Sequence, residues 1–566
     1  MKTARYTAPF AIATGLFAAI LLLLIRHGLH QDAGIFVYPL DDAYIHLAVS
    51  RNLALHGIWG ASPYAFSGAS SSPGWTLLLA IVIRLAGVHV LTPLLLNAAA
   101  AVVLLFVANF ILARTLPRAG IAFITTALCL LVLIVPLPGL ALIGMEHVLH
   151  SLAMLCLVAS GAWIASLPKD VATPRLSLAT LLLAAAASGA LRYESCFAVI
   201  VIAIVLMARH RIVAALSVAI ASALGPACYG LYSYRHSGFY LPFSVLIKAA
   251  GHGPNHSLDG LLTSGVAPIL LPVAIVFFLA LAQRALQPST QRAHFWSYGQ
   301  SFLIIVFGTL AVHDLVGPTG WLMRYEAYLY VLGIVSITLA AGEMLALKAL
   351  ALRPSNSPVS SDMQRALRWA GFALIVALLP TALELFHRAH HGYSDIAASI
   401  HDRYVEHLPQ ALFVATQMPH GVVIANDIGF LAFYAGDVKI LDPLGLGSIE
   451  PVRLEQAHQP MNPAFMQQWA AKDGAQLAIL HTDFPGMDAI VPSGWVLVES
   501  WCFPHNLVFL NHIESFYAPD AAAANSLRTK LAGFHDLSPE IVRYRFPVGG
   551  TPPMPARGET AVCPVP

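Results

Sequence analysis

The sequence predicts a polytopic α-helical membrane protein with a C-terminal soluble α/β domain, and three observations predict it. Apolar residues make up 58% of the chain and charged residues 11%, at a mean hydropathy of +0.71, a balance outside the range of ordinary soluble proteins. The apolar residues fall in repeated runs of roughly span length as far as residue 386, and polar stretches between them carry most of the charge. From His387 onward the runs shorten to strand length and alternate with polar helical or loop stretches.

The first run, 8–25, follows Lys2 and Arg5 and lacks a small-residue cleavage site before the polar His27–Asp32 stretch, so it reads as an uncleaved span with a cytoplasmic N-terminus. Later runs fall at 75–89, 91–113, 119–138, 145–166, 176–191, 194–208, 212–232, 262–283, 300–316, 325–347 and 366–386. The basic pairs Arg114/Arg118, Lys169/Arg175, Arg209/Arg211 and Arg284/Arg292, with Lys348/Arg353/Arg365/Arg368, can all be cytoplasmic only if one early run fails to cross. That run is 75–89, which is short, contains Arg84 and ends at Gly87, leaving about eleven spans. This topology puts on the outer face the loop 39–74, the turns at Gly144-Met145-Glu146 and Arg192-Tyr193-Glu194, the loop 233–260, the turn 313–324 and the chain beyond about 388. The linker 353–363 is cytoplasmic and flexible by composition.

Two domains follow: a transmembrane domain, 1–387, and an external α/β domain, 388–566. Strands are expected at Val422–Ala425, Val438–Leu441, Leu477–Leu480 and Trp495–Val498. The domain has no glycine-rich phosphate loop, so nucleotide binding has no support there. A net charge of +2 and the lack of a basic patch with interleaved aromatics exclude nucleic acid as a partner. Cys129, Cys156, Cys196 and Cys228 lie in apolar runs as small hydrophobes, while Cys502 and Cys563 lie outside, where a disulfide could form.

The chemistry-bearing residues gather at one face. Asp41 and Asp42 open a helical stretch, 43–56, and Glu146, Arg192, Glu194, Lys248, Asp314, Arg324 and Glu326 sit at predicted outer ends of spans. Ionisable groups at membrane depth are costly unless paired or facing water, so such a set reads as a site. Local ion pairs, Arg192 with Glu194 and Arg324 with Glu326, are the structural alternative. Lys248 is one of only seven lysines; a lysine at a span end commonly snorkels, but Arg235, His236 and His252 nearby also allow a cationic phosphate pocket. His387, His390 and His391 lack carboxylates at ligand spacing and read as an interfacial surface.

The run Asp41-Asp42-Ala43-Tyr44-Ile45, then Arg51-Asn52-Leu53 and Ser72-Pro73-Gly74-Trp75, resembles the first external loop of GT-C-fold polyprenyl-phosphate-sugar glycosyltransferases, and most closely that of terminal arabinofuranosyltransferase-like bacterial proteins. Gly144-Met145-Glu146, Arg192-Tyr193-Glu194, Pro242 to Lys248, and Gly429 to Asp442-Pro443-Leu444-Gly445-Leu446 are similar to later blocks in the same order. Two departures stand out: relatives often carry proline at the position of Tyr193, and an Asn-Thr-rich stretch where this chain has Phe243 to Ile247. The resemblance implies transfer of a sugar from a polyprenyl-phosphate donor to an envelope glycan or lipid acceptor, usually with inversion, in the inner membrane. It implies Asp41 as base, with Asp42 orienting the acceptor or, alternatively, capping the helix after it. Lys248, Arg324 and Arg192 would then bind the donor phosphate, and Glu146, Glu194 and Tyr44 would orient these groups or contact sugar. No cofactor is required by this scheme, although Asp41, Asp42 and Glu146 could share a divalent cation. A transporter of envelope precursors and a non-catalytic glycan-binding protein are the alternatives from other classes.

Overall fold

The computed structural model describes residues 2–251, 264–285, 296–351, 361–504, 506–508 and 512–546. Helix α1 (Lys2–Gln31) contains the apolar stretch Thr7–Gln31 and is followed by α2 (Asp41–His56) and α3 (Pro73–Ala86), which bracket the polar first loop. Then come α4 (Thr92–Thr115), α5 (Ile121–Ile134), α6 (Leu137–Leu142), α7 (His147–Ser166), α8 (Arg175–Leu191), α9 (Ser195–Ala208) and α10 (Ile212–Ser237). The helical part is completed by α11 (Phe243–Gly251), α12 (Ala267–Ala285), α13 (Tyr298–Val316), α14 (Ala327–Ala351) and α15 (Ser361–Gln417).

Among the described residues, five helices are long and apolar enough to cross a membrane: α1, α4, α7, α10 and α13. Six further apolar helices are shorter, α3 among them. At 14 residues α3 spans about 21 Å, short of a ~30 Å hydrocarbon core; α5 and α9 have the same length, so length alone does not single it out. Its faces are better evidence of its surroundings. Trp75, Thr76, Leu79 and Ile83 are buried while Leu77, Ile81 and Leu85, spaced four apart, are exposed, which gives an apolar stripe turned outward.

The same inversion runs through the bundle. Leu104, Leu128, Leu155, Leu206, Leu310 and Leu332 fill its interior, while Leu22, Leu23, Leu183, Val213 and Ile220 are well exposed. A soluble domain does not leave so many large aliphatic side chains outward, whereas lipid accepts them. At the end of α7 and α9 remote from Glu146 and Glu194, Arg209 donates to the carbonyls of Ala165 and Leu167 and Arg211 to that of Pro168, using cations to satisfy helix-end acceptors.

Helix α15 runs unbroken through the predicted boundary at 387/388, with Pro380 and Pro409 inside it. The composition changes there, but the helix does not end. It leads into β1 (Val422–Ala425), α16 (Gly429–Tyr434), β2 (Lys439–Leu441), α17 (Ile449–Gln456), α18 (Pro463–Asp473), β3 (Leu477–His481), β4 (Val496–Cys502), β5 (Ile513–Ala518), α19 (Ala521–Ala532) and β6 (Val542–Arg545). The six strands form one mixed sheet in the order β2-β1-β3-β5-β4-β6. β1 is parallel to β2 and β3, and the remaining pairings are antiparallel. Phe413 of α15 packs on Trp501 and Phe516 of the sheet and on Phe534, so the long helix is also a core element of the α/β domain. Cys502 is buried on β4; its candidate partner, Cys563, lies outside the described residues.

Candidate active site

Helix α2 starts at Asp41, after the extended and non-capping Leu40, so both acids belong to the first helical turn. Asp42 therefore does not cap the following helix as one sequence reading had it. Asp41 instead caps a different helix: its Oδ2 accepts the Gly429 N–H at 2.7 Å and its Oδ1 that of Phe430 at 2.9 Å. A Cβ at Gly429 would fall on the Asp41 carbonyl and carboxylate, so this approach requires glycine. Ten residues on, Arg51 donates to the carbonyls of Phe433 at 2.7 Å and Ala432 at 3.0 Å. An anion thus sits at the N-terminus of α16 and a cation at its C-terminus, each matched to the local peptide dipole. Between them Tyr44 packs on Phe430, ring centroids 3.9 Å apart, and its hydroxyl accepts the Tyr38 N–H. Tyr44, expected to orient the site groups or contact sugar, is fully buried and packs between α2 and α16.

Asp42 forms an ion pair with Arg324 at 2.8 Å. Arg324 and Glu326 do not pair with each other, because Glu326 binds Arg388 at 2.6 Å and accepts the Gly320 N–H. The two residues face different partners because Trp321, Leu322 and Met323 all have positive φ, a tight turn that aims Arg324 back at α2. Arg324 is 3% exposed; its Nη1 also approaches Met145 Sδ, its Nη2 reaches Tyr325 Oη, and its Nε has no hydrogen-bond acceptor.

Arg192 does pair with Glu194, through Nε at 3.2 Å and Nη2 at 2.6 Å, but it also reaches Glu146 at 2.7 Å and His147 at 3.0 Å through Nη1. Glu146 is presented by a turn at Gly144, whose φ of +74° and contact with the Tyr38 ring leave no room for a side chain. The Arg192 and Arg324 guanidinium carbons lie 5.2 and 5.0 Å from the ring centre of one tyrosine, Tyr325. His46 of α2 ties the two halves together: Nε2 is 3.9 Å from Glu146 Oε2, and Nδ1 meets Ser70 Oγ at 3.1 Å and Thr76 Oγ1 at 3.4 Å. Asp42, Glu146, Arg192, Glu194 and Arg324 therefore form one connected cluster, with Asp41 one residue from it on α2.

Other predicted residues have other partners or lie outside the described residues. Asp314 accepts from Ser264. His236 stacks on Phe66, while His252 lies outside the described residues. Lys248 belongs to α11, but its side chain lies outside what the structure describes.

Behind Asp41 stands a second set of ionisable groups, from α15 and the sheet. Glu406, His407 and His481 are buried, and Asp427 lies 3.3 Å from His481 and 3.6 Å from His407. Burial raises the Asp41 carboxyl above its ordinary range; the His407 charge opposes this and Asp427 adds to it. Burial and the Arg403 charge push the His407 imidazole down, but Glu406 and Asp427 outweigh them and raise it to about 10. Glu406, His407 and His481, like His46, His147 and Tyr325, were not expected as site residues, because no local pattern marks them.

The geometry is that of a GT-C fold: a polytopic helical domain whose first loop is seated on a C-terminal α/β domain. A structure of ArnT from Cupriavidus metallidurans in the apo state aligns with 90% of this chain and 98% of its own, at a TM-score of 0.51 and 16% identity. ArnT from the same organism bound to undecaprenyl phosphate aligns over the same shares at a TM-score of 0.51 and 15% identity. The Archaeoglobus fulgidus oligosaccharyltransferase in its apo form aligns with 89% of this chain and 74% of its own, at a TM-score of 0.47 and 11% identity. A domain of unknown function, DUF8728, matches residues 398–522. No curated protein matches the sequence.

Proposed function

We propose that this chain is an integral-membrane glycosyltransferase that takes a sugar from a polyprenyl-phosphate donor and passes it to a hydroxyl of an envelope glycan or lipid. The observation that carries the reading is the connected cluster itself: the first-loop acid Asp42 pairs with Arg324, and Arg324 and Arg192 flank one tyrosine, Tyr325, at one end of the bundle. The ArnT structure with undecaprenyl phosphate supports the donor class through its shared fold. An apolar cavity of about 530 Å³ between α3, α7 and α8, lined by Leu149, Leu152, Leu183 and Leu191, reaches the residue that precedes Arg192 in the chain and suits a lipid chain whose phosphate lies at the cluster.

In this mechanism Asp41 removes the acceptor hydroxyl proton, the oxygen attacks the anomeric carbon, and the carbon–oxygen bond to phosphate breaks with inversion, releasing polyprenyl phosphate. A carboxylate of raised pKa that is partly withdrawn from water suits the base. Arg324 is the better phosphate ligand of the two arginines, since its Nε lacks an acceptor, whereas Arg192 is spent on Glu146 and Glu194. Three carboxylates, Asp42, Glu146 and Glu194, stand against two guanidiniums here, so growing charge on the leaving phosphate calls for one more cation. Lys248 is that candidate. The basic clusters at the opposite ends of the spans favour the outer face of the inner membrane for the reaction, with the α/β domain outside.

The sequence blocks further favour a lipid-phosphate-linked pentose or hexose as donor, with the likeness to arabinofuranosyltransferases on the side of a pentose. Proteoliposomes given a panel of radiolabelled polyprenyl-phosphate pentoses and hexoses, with envelope glycolipid as acceptor, test both levels. Transfer that is lost in Asp41→Asn and in Arg324→Met is expected; full transfer by Asp41→Asn removes the proposed base, and no transfer from any lipid-phosphate sugar removes the class.

A further inference from the structure

We propose that Glu406, His407, Asp427 and His481 form a metal site for a divalent transition ion of the zinc class, held wholly within the α/β domain and backed by Glu514. It does not rest on the transferase reading. Glu406, His407 and His481 each offer one donor atom within 4.8 Å of the others, and all three are buried. His481 Nε2 lies 3.2 Å from Glu406 Oε1, 3.3 Å from Asp427 Oδ2 and 3.9 Å from Glu514 Oε1. Ligands of a tetrahedral ion at about 2.0–2.1 Å stand roughly 3.3 Å from one another, so the separations from Glu406 and Asp427 match the edges of such a site, with Glu514 farther back.

The orientation of the groups is the independent observation. His481 is 1% exposed and neither ring nitrogen makes a hydrogen bond, although three carboxylates surround Nε2. Glu514, also 1% exposed, makes none through either oxygen. A donor and its acceptors would align; lone pairs that converge without aligning have the geometry of ligands around a cation. The remaining side of His481 is fixed through its backbone, which donates to Asn426 Oδ1 at 3.0 Å.

Charge and chemistry select the ion. Glu406 and Asp427 bring two negative charges, and Arg403, 3.0 Å from Glu406 and 2.8 Å from His407, returns one positive charge. A divalent ion bound here would take the place of the His407 proton, since an imidazole ligates only in its neutral form. Two imidazoles with carboxylates favour zinc and its neighbours over magnesium or calcium, which prefer all-oxygen shells. Asp427 precedes Gly429 by two residues, so the ion would also fix the start of α16 on which Asp41 is seated.

The test uses the full-length protein with no affinity tag, stripped with a chelator, desalted, equilibrated with Zn²⁺ alone and desalted again, with bound metal read by mass spectrometry. About one ion per chain is expected, with Co²⁺ giving the visible absorption of a four-coordinate complex. His481→Ala and Glu406→Gln should bind about 100-fold more weakly, whereas the triple variant His387→Ala/His390→Ala/His391→Ala should bind as the parent does. Less than about a tenth of an equivalent in the parent protein, or loss in the triple variant but not in His481→Ala, overturns the site. Should His481→Ala not fold, X-ray absorption on the Co²⁺-loaded parent decides: two imidazoles in a four-coordinate shell support the proposal, and an all-oxygen six-coordinate shell ends it.

Discussion

Replacing Asp41 with alanine should release the start of α16 from the first loop, by an amount the structure allows to be worked out. The carboxylate accepts two backbone N–H groups, those of Gly429 and Phe430, both in a buried setting. A hydrogen bond to a charged partner contributes about 1.5–3 kcal/mol, and a buried donor left unmet loses a similar amount. Losing both acceptors should therefore weaken the local docking by about 3–6 kcal/mol. At about 1.4 kcal/mol per decade, the two amides should exchange hydrogen for deuterium roughly 10²–10⁴ times faster. Asp41→Asn keeps one acceptor oxygen and should lie near the lower end of that range. The assay is hydrogen–deuterium exchange read on a peptide covering residues 425–434, with a peptide from β3 as internal reference. Exchange of that peptide in Asp41→Ala within about threefold of the parent would refute the docking argument. Turnover measured on the same samples then separates the two roles of the residue, since a base lost in Asp41→Asn removes kcat far beyond what a modest docking change explains.

Asp42→Asn leaves Arg324, which is 3% exposed, without its ion pair, and a loss of about 3–5 kcal/mol is expected in detergent unfolding, partly recovered in the double variant with Arg324→Met. Gly429→Ala places a methyl group on Asp41 and should raise exchange of the same 425–434 peptide even though both hydrogen-bonding groups remain; parent-like exchange would show that the approach is looser than drawn. Asp442 is fully buried, and burial outweighs the N–H groups of Gly447 and Leu444 to push its carboxyl up to about 7. A carboxyl raised in the folded state binds more protons there than in the unfolded chain between about pH 4 and 7, so its contribution to stability falls as pH rises through that window and stays low above it. The parent protein should therefore lose more Tm between pH 5 and pH 8 than Asp442→Asn does, and equal losses would count against the shift.

The apolar strands were legible because buried parallel strands are continuous hydrophobic runs: β1 was expected at Val422–Ala425 and stands there, and β3 differs only by His481 at its end. β5 and β6 were not, for different reasons. β5 is central, between β3 and β4, but its buried positions on the two faces include Glu514 and Ser515, so it does not read as apolar. β6 contains Arg543 and Arg545, which an edge strand accepts and a hydrophobic pattern rejects. The continuity of α15 across residue 387 was not legible, because composition reports surroundings rather than backbone: the sequence turns from apolar to polar near His387 while the helix runs on. In the site, charge placement along the spans put Asp41, Asp42, Glu146, Arg192, Glu194, Lys248, Asp314, Arg324 and Glu326 on one face, and of these the structure connects Asp42, Glu146, Arg192, Glu194 and Arg324. Which carboxylate meets which cation was not legible, since a two-residue spacing favours Arg324 with Glu326 and only the left-handed turn at Trp321–Met323 prevents it.

The contact that sequence reasoning could least anticipate bears most on how the first loop works. Asp41 and Gly429 are 388 residues apart, and no local pattern links an acid at the start of one helix to the start of another. Yet α2 holds α16 at both ends, by Asp41 at its N–H groups and by Arg51 at its carbonyls, with Tyr44 stacked between. Two matched charges at opposite ends of one short helix fix its translation as well as its orientation, which a single contact would not. The α/β domain is thereby the part that sets where Asp41 points, while α2 itself carries Asp42 and His46 into the arginine cluster. A movement of α16 in response to an acceptor on the α/β domain would reach Asp41 directly and Arg324 through one turn of α2. Loop geometry and domain geometry are one variable in this fold, so a variant that frees α16 should alter the cluster without touching any of its residues.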